Sequence, residues 1–516
     1  MQFPAILTSI ALVCAASVLF PSPTYAQTKE FSQADSALLE MAQAYKQRDR
    51  KRLVTLLQQV RGHALEPWAA YWDLSARLDE ASVPEIQAFL TRYSGTYQED
   101  RLRAEWLLKL GRNRDWVAFN REYPLYRMND DKSVRCYALL ADHLSSATDI
   151  HTQLRDTWLS LREADEACSS AAEQVLKDHS ETTRTVWLRA RLGMENDRLR
   201  VATQAVGLVN PKLSKTVNEI YLNPGKYLND KLTAFQPKTR EMVTLALIRQ
   251  AYLDPAEAAH EMGKLRWKAQ LTDEERNWLW GVIGKRAALK MSNDAVDYFA
   301  RGTASDMHDD HLAWQARAAL RMGRWTQVLG SIEAMSETQR NDPTWVYWRA
   351  RALLRQPATE GANAQAQQLF QSIAGVRGFY EQLALEELGQ RITVASRPSP
   401  LTADEKVAAL QNPGLNRALY AIRIGLRPEG VREWNYATNL HVRGGMDDRA
   451  LLAAADLACQ HEVWDRCINT SERTRLVMDL EQRFPMPFKA AVVTRAGQIG
   501  LDPAYVYGLI RQESRF

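Results

Sequence analysis

The sequence predicts an all-α protein built as a long curved array of helices, and three observations carry that prediction. Apolar residues recur three and four apart almost throughout residues 31 to 385, as from Ser36 to Tyr45, with Ala and long unbranched side chains between them. Alternating Val, Ile and Thr runs of the strand type are nearly absent there. Trp280, Trp314 and Trp348 stand 34 residues apart, and each opens a similar run: WGVIGKRAALKM, WQARAALRMGRW and WRARALLRQP.

A period of that length with recurring small Ala belongs to stacked helix–turn–helix units of the tetratricopeptide kind. Weaker echoes are WLLKLGRNRDW from Trp106 and WLRARLGMENDR from Trp187. Such units cannot bury their apolar faces alone, so the expected form is a curved α-solenoid with a concave surface open for binding. The tryptophan stripe reads as interhelical core before it reads as a ligand cage. Connections are short and polar, with helix-ending residues at Gly111 to Asp115, Asn223-Pro-Gly225, Asp254-Pro255 and Asn341-Asp-Pro343.

A chain of 516 residues is too long for one core, so several domains are expected. The boundaries fall at an N-terminal segment 1–26, an array 27–390, a helical linker domain 391–480 and a final unit 481–516. The Pro- and Ser-containing stretch Val394 to Pro400 marks one junction and Arg483-Phe-Pro-Met-Pro487 the next. The net charge of +4 is a mild basic excess. It is compatible with an anionic polymer as partner but supports no nucleic-acid role. The densest basic run, Lys46 to Arg52, is interrupted by Asp49 and reads as a solvated helix junction.

The first 26 residues contain no charged side chain, and Ala5 to Phe20 is an apolar run too short to span a bilayer comfortably. Thr24-Tyr25-Ala26 then offers small residues where a signal peptidase reads, so the segment is expected to be a secretory signal cleaved after Ala26. The n-region MQFP lacks Lys and Arg, which leaves an uncleaved anchor as the second reading. Export to the periplasm would place Cys136, Cys168, Cys459 and Cys467 in an oxidising compartment. Of the three possible connectivities, the local pairs Cys136–Cys168 and Cys459–Cys467 are the simplest.

The chain reaches its last residues through a helix opened by Asp502 as N-cap and Pro503 as first helical residue. Val506, Leu509, Ile510 and Glu513 fall at i, i+3, i+4 and i+7, so the carboxylate shares the apolar stripe. A buried carboxylate takes up a proton or finds a partner, and a raised pKa suits a general acid. The plainer reading is a helix-end glutamate paired with Arg511 or Arg515.

The segment RFPMPFKAAVVTRAGQIGLDPAYVYGLIRQESRF resembles the start of the catalytic domain of soluble lytic murein transglycosylases. Glu513 falls on the family's catalytic glutamate and Ser514 on the substrate-side serine after it. The N-terminal stretch from Leu65 to Pro124 and the stretch around GFYEQLALEELGQ at Gly378 resemble the family's superhelical domain, so the likeness spans the mature chain. The resemblance implies a ring-shaped array, a linker domain and the first helices of a lysozyme-like domain. It implies cleavage of the β-1,4 bond between N-acetylmuramic acid and N-acetylglucosamine with formation of a 1,6-anhydro ring, by one glutamate, without metal or cofactor. Peptidoglycan glycan strands are the implied partner, and the resemblance leaves room for other cell-wall enzymes.

The family's domain continues past the position of Phe516, so the expectation is a chain truncated after its catalytic glutamate, inactive as it stands, with residues from about 501 fraying and Glu513 solvated. An exported non-catalytic solenoid that binds murein or proteins is the alternative. Asp306 to His311 sets His308 and His311 three apart, a weak metal pattern that reads better as the cap of the following helix.

Overall fold

The computed structural model describes residues 31–176, 180–356, 360–394, 396–442 and 445–516. The expected signal segment lies outside them. The described residues form 32 α-helices and three short 3-10 turns, with no strand. None of these helices is long and apolar enough to cross a membrane.

Local chemistry sets the helix ends. Ser32, Thr272 and Thr402 each form a reciprocal capping box, opening helices Gln33–Gln47, Asp273–Leu289 and Ala403–Gln411. Asn223 and Asp254, read from the sequence as breaks, cap Pro224–Asp230 and Pro255–Met262. His308 is itself an N-cap, its Nδ1 accepting from the Asp310 N–H at 3.3 Å, and opens Asp309–Arg321.

Successive helices pack against one another and bury one continuous core from Ala37 to Ile283, followed by a second from Ala287 to Ala352. The 34-residue tryptophan stripe is interhelical packing: Trp280 stacks against Tyr298, and Trp348 donates to the Tyr380 hydroxyl at 3.3 Å. Gly281 and Gly284 bring helix Asp273–Leu289 close to its neighbours. A Cβ would come within 2.6 Å of His311 at Gly281 and of the Phe299 ring at Gly284.

The array closes on itself. Helices Pro413–Ile424 and Arg427–Ala437 return to the first helices, and Ala421, Ile424 and Leu426 join the N-terminal core. Polar bonds lock the seam: Trp68 Nε1 donates to Glu433 at 2.8 Å, Gln98 to the same oxygen at 2.9 Å, and the Tyr420 hydroxyl to Asp35 at 2.8 Å. The linker region also has a core of its own around Leu415, Trp434 and Leu457.

Both local cysteine pairs are bridged. Cys136 and Cys168 join helices Lys132–Ser146 and Glu166–Leu176, with Cα atoms 4.9 Å apart. Cys459 and Cys467 join Asp448–Gln460 to Trp464–Ser471, with Cα atoms 5.0 Å apart.

Candidate active site

Helix Pro503–Glu513 carries the residues singled out in the sequence. Asp502 accepts from the Ala504 N–H at 2.8 Å, and Gly500, at φ +70°, makes the turn from the preceding helix Lys489–Gln498. The helix is pinned at three points, to Pro487 and Arg483 shortly before it and to Glu472 further back. The Tyr507 hydroxyl donates to the Pro487 carbonyl at 2.8 Å. Arg511 Nε donates to the Arg483 carbonyl at 2.8 Å, while its Nη2 reaches Glu472 and its guanidinium covers the Phe484 ring at 4.5 Å. Arg515 donates to the second Glu472 oxygen at 2.8 Å and to Asn469.

This clamp fixes which face is packed, and it is not the face expected. Tyr507 is buried and Val506, Ile510 and Arg511 are half-buried, whereas Leu509 is 52% exposed and Glu513 is exposed. The stripe through Val506, Leu509, Ile510 and Glu513 is therefore not one buried face. The helix is turned so that the two arginines reach Glu472, and that rotation carries Glu513 toward water. The plainer pairing fails too, because Arg511 and Arg515 both bind Glu472. Among the described residues the Glu513 carboxylate has no hydrogen-bond or ion-pair partner.

Ser514 turns back on its own helix, donating to the Ile510 carbonyl at 3.1 Å and accepting from the Phe516 N–H at 3.2 Å. Beside the clamp, a cavity of about 280 Å³ is walled by Arg377, Ile392, Leu480, Phe484 and Arg511, and Glu513 is not among its walls. Arg483 belongs to the same support. Its guanidinium donates to the Ser471 carbonyl at 3.0 Å and to Thr474 Oγ1 at 2.8 Å, and burial pulls its pKa below the ordinary arginine value. Sequence reasoning missed Glu472, because nothing in SERTRLV marks an acid that will grip a helix some 40 residues on.

A second charged cluster is buried in the array. Glu195, 2% exposed, receives Lys285 Nζ at 2.6 Å and lies 3.1 Å from His311 Nε2. Lys285 also reaches Asp310. Burial works against the Glu195 charge, but His311 and Lys285 outweigh it and hold the carboxyl well below the usual carboxylate range. His308 and His311 thus serve as a helix cap and a buried carboxylate partner. Among the described residues no group of His, Cys, Asp and Glu is placed to hold a metal ion.

No family model matches the chain. It is 21% identical over 98% of its length to a soluble lytic murein transglycosylase of Salmonella typhimurium, covering 77% of that protein. Against the Escherichia coli K12 protein of the same description it is 20% identical over 98% of its length, again covering 77% of the relative. Among solved structures, an inactive mutant of the lytic transglycosylase Slt from Pseudomonas aeruginosa matches 94% of this chain and 78% of its own, with a TM-score of 0.64 and 24% identity. The 70-kDa soluble lytic transglycosylase in complex with bulgecin A matches 94% of this chain and 77% of its own, with a TM-score of 0.58 and 18% identity. The all-helical fold is shared, and the resemblance read from the sequence holds over nearly the whole chain.

Proposed function

We propose, on the premise of this likeness to soluble lytic murein transglycosylases, that the chain is a periplasmic murein-processing protein of that kind. The closed array engages peptidoglycan strands, and Glu513 is the acid and base of glycosidic cleavage. The observation that carries the reading is the conjunction of the Arg-Gln-Glu-Ser segment with its mounting. Arg511 and Arg515, two residues before and after Glu513, are held by Glu472 of the linker region, which leaves the carboxylate on the open side of the helix.

In the proposed reaction the Glu513 carboxylic acid gives its proton to the oxygen bridging N-acetylmuramic acid and N-acetylglucosamine, and the bond from C1 to that oxygen breaks. The resulting carboxylate takes the proton from the muramoyl C6 hydroxyl as O6 bonds to C1, closing the 1,6-anhydro ring. One proton leaves Glu513 and one returns, so the reaction consumes no water. This differs from the two-carboxylate scheme of ordinary glycosidases.

The open surroundings of Glu513 favour a second reading for the 516 residues alone: a murein-binding array that does not cleave. Glu513 is exposed, and nothing bonded to it among the described residues would exclude water from a sugar bound there. Incubating the purified chain with peptidoglycan sacculi separates the outcomes. Co-sedimentation without release of 1,6-anhydromuropeptides is expected. Failure to sediment would remove the murein reading, and release of anhydro products would show that these residues suffice for catalysis.

A further inference from the structure

Away from the Glu513 helix, a cavity of about 500 Å³ opens in the wall of the array, between the loop after His151–Leu159, helix Ser180–Glu195 and the start of Asp309–Arg321. Part of its lining is apolar, with Leu159, Leu161, Leu192 and Val201. The rest is mostly polar, with Arg162, Arg189, Arg198 and Lys285 beside Glu195 and Asp310, and the cations are unequally satisfied.

Arg189 is 2% exposed. Its guanidinium lies 5.9 Å from the centre of the Trp158 ring and is fixed by the Leu161 carbonyl and, at 2.7 Å, the Glu163 carbonyl. Its Nε has no partner. That Nε is itself out of reach of solvent, so what Arg189 brings to the cavity wall is a buried positive charge with no carboxylate bonded to it. Burial lowers its pKa to about 10, so it stays charged at neutral pH. Arg198 uses one nitrogen for Glu163 and, at 3.1 Å, the Arg162 carbonyl. Arg162 is exposed on the rim, and its side chain makes no ion pair among the described residues.

The acids in the same wall are already answered. Glu195 is held by Lys285 and His311, and Asp310 by Lys285. Asp165, close enough to act on Arg189, accepts from Ser133 Oγ at 2.5 Å and the Cys168 N–H at 2.7 Å. Glu163 answers Arg198. Two guanidinium groups, Arg162 and Arg189, are left without a carboxylate.

We infer that this cavity binds a short peptide through a free carboxylate, held on the forks of Arg162 and Arg198 beside the buried charge of Arg189, with the peptide's small apolar side chains against the leucines. Planar guanidinium forks match a carboxylate in geometry as well as charge. The volume suits a ligand of a few residues, and the apolar lining would be wasted on a bare inorganic anion. The inference rests on the murein reading in one respect: the stem peptides of murein are the carboxylate-bearing peptides the array would meet.

Calorimetric titration of the 516-residue chain with a free murein stem tetrapeptide tests it. Binding is expected, weakened at least about tenfold when the peptide's carboxylates are amidated. The pair Arg162→Ala and Arg198→Ala should weaken it by a similar factor without changing Tm, since neither side chain is buried. Lysines at both positions should recover only part of the affinity, because an ammonium lacks the fork. Absence of tetrapeptide binding would overturn the inference. So would equal binding of the amidated peptide, or inorganic phosphate binding as tightly as the peptide, which would mark a plain oxyanion site. A chain that sediments with sacculi yet ignores the free tetrapeptide sinks this inference alone, whereas failure to sediment counts against the murein reading.

Discussion

The indole N–H of Trp68 donates to Glu433 at 2.8 Å, joining side chains 365 positions apart in the sequence. Glu433 is 1% exposed and also accepts from Gln98 at 2.9 Å and from Arg417. One buried carboxylate therefore ties the first helices of the array to the linker region and turns an open solenoid into a closed one. A stack of repeats is stabilised chiefly by nearest neighbours, so this long-range seam is an addition to the ordinary repeat energetics.

Replacing Glu433 by Ala should destabilise the fold by about 3 to 5 kcal/mol, because it strands the Arg417 charge and two buried donors together. Denaturant unfolding reads the loss, and small-angle scattering should show a larger radius of gyration as the seam opens. A cost below about 1 kcal/mol would mean that the seam is held by its apolar contacts alone.

The Glu195–Lys285–His311 cluster gives a pH dependence with a definite sign. The folded pKa of Glu195 lies below its unfolded value near 4.5. The stability it contributes is therefore fully present above that unfolded value and is lost as pH falls from there toward the folded one. Lys285→Met should cost about 3 kcal/mol at pH 7, since Lys285 is among the charges that let the carboxylate stay ionised. The gap between wild type and variant should narrow below about pH 4. A gap that stays constant from pH 7 to 3 would show that Glu195 is neutral in the folded protein.

Reduction should weaken the array more than the linker region. The Cys136–Cys168 bridge spans a separation of 32 residues and Cys459–Cys467 one of 8. On the loop-entropy argument Cys136→Ser/Cys168→Ser costs about 3 to 4 kcal/mol and the second pair about 2 to 3. Thermal melts of the two double variants provide the comparison, and the reverse order would point to strain or residual structure in the reduced chain.

Helix capping, the 34-residue period and the local cysteine pairs were legible in the sequence because each depends on residues close together in the chain. The seam was not, since nothing near Trp68 or Glu433 says that they will meet. The face of the last helix was misread for a related reason. Periodicity ranks Val506, Leu509 and Ile510 as the apolar stripe, but Arg511 and Arg515 gain charge-assisted bonds to Glu472 that a hydrophobic pattern does not register. The buried role of His311 was hidden likewise, its partner Glu195 standing 116 residues away.

The role proposed for Glu513 can be tested in a chimera in which the part of a soluble lytic murein transglycosylase that this chain does not match follows Phe516. Glu513→Gln should reduce anhydromuropeptide release by at least about a hundredfold while leaving binding to sacculi unchanged. Glutamine keeps the shape but cannot shuttle the proton. Near-normal turnover in the variant would take Glu513 out of the mechanism.

The final helix offers the sharpest test of how far the clamp alone can hold structure. Helix Pro503–Glu513 is 11 residues long, marginal by itself in water. Around it Phe488, Ile499, Tyr505 and Leu509 are each more than half exposed, so little apolar burial supports it. What remains is the Tyr507 bond to Pro487, the Arg511 bond to the Arg483 carbonyl and the grip of Glu472 on Arg511 and Arg515. Polar anchors that reach solvent contribute little each, so amides of residues 505 to 513 should exchange faster by orders of magnitude than those of Asp273–Leu289, whose helix is buried along most of its length. Glu472→Ala should speed exchange at the final helix further and leave the array untouched. Protection at residues 505 to 513 equal to that of the array would show that the clamp couples the helix to the global fold. Exchange unaffected by the substitution would show that it does not hold the helix at all.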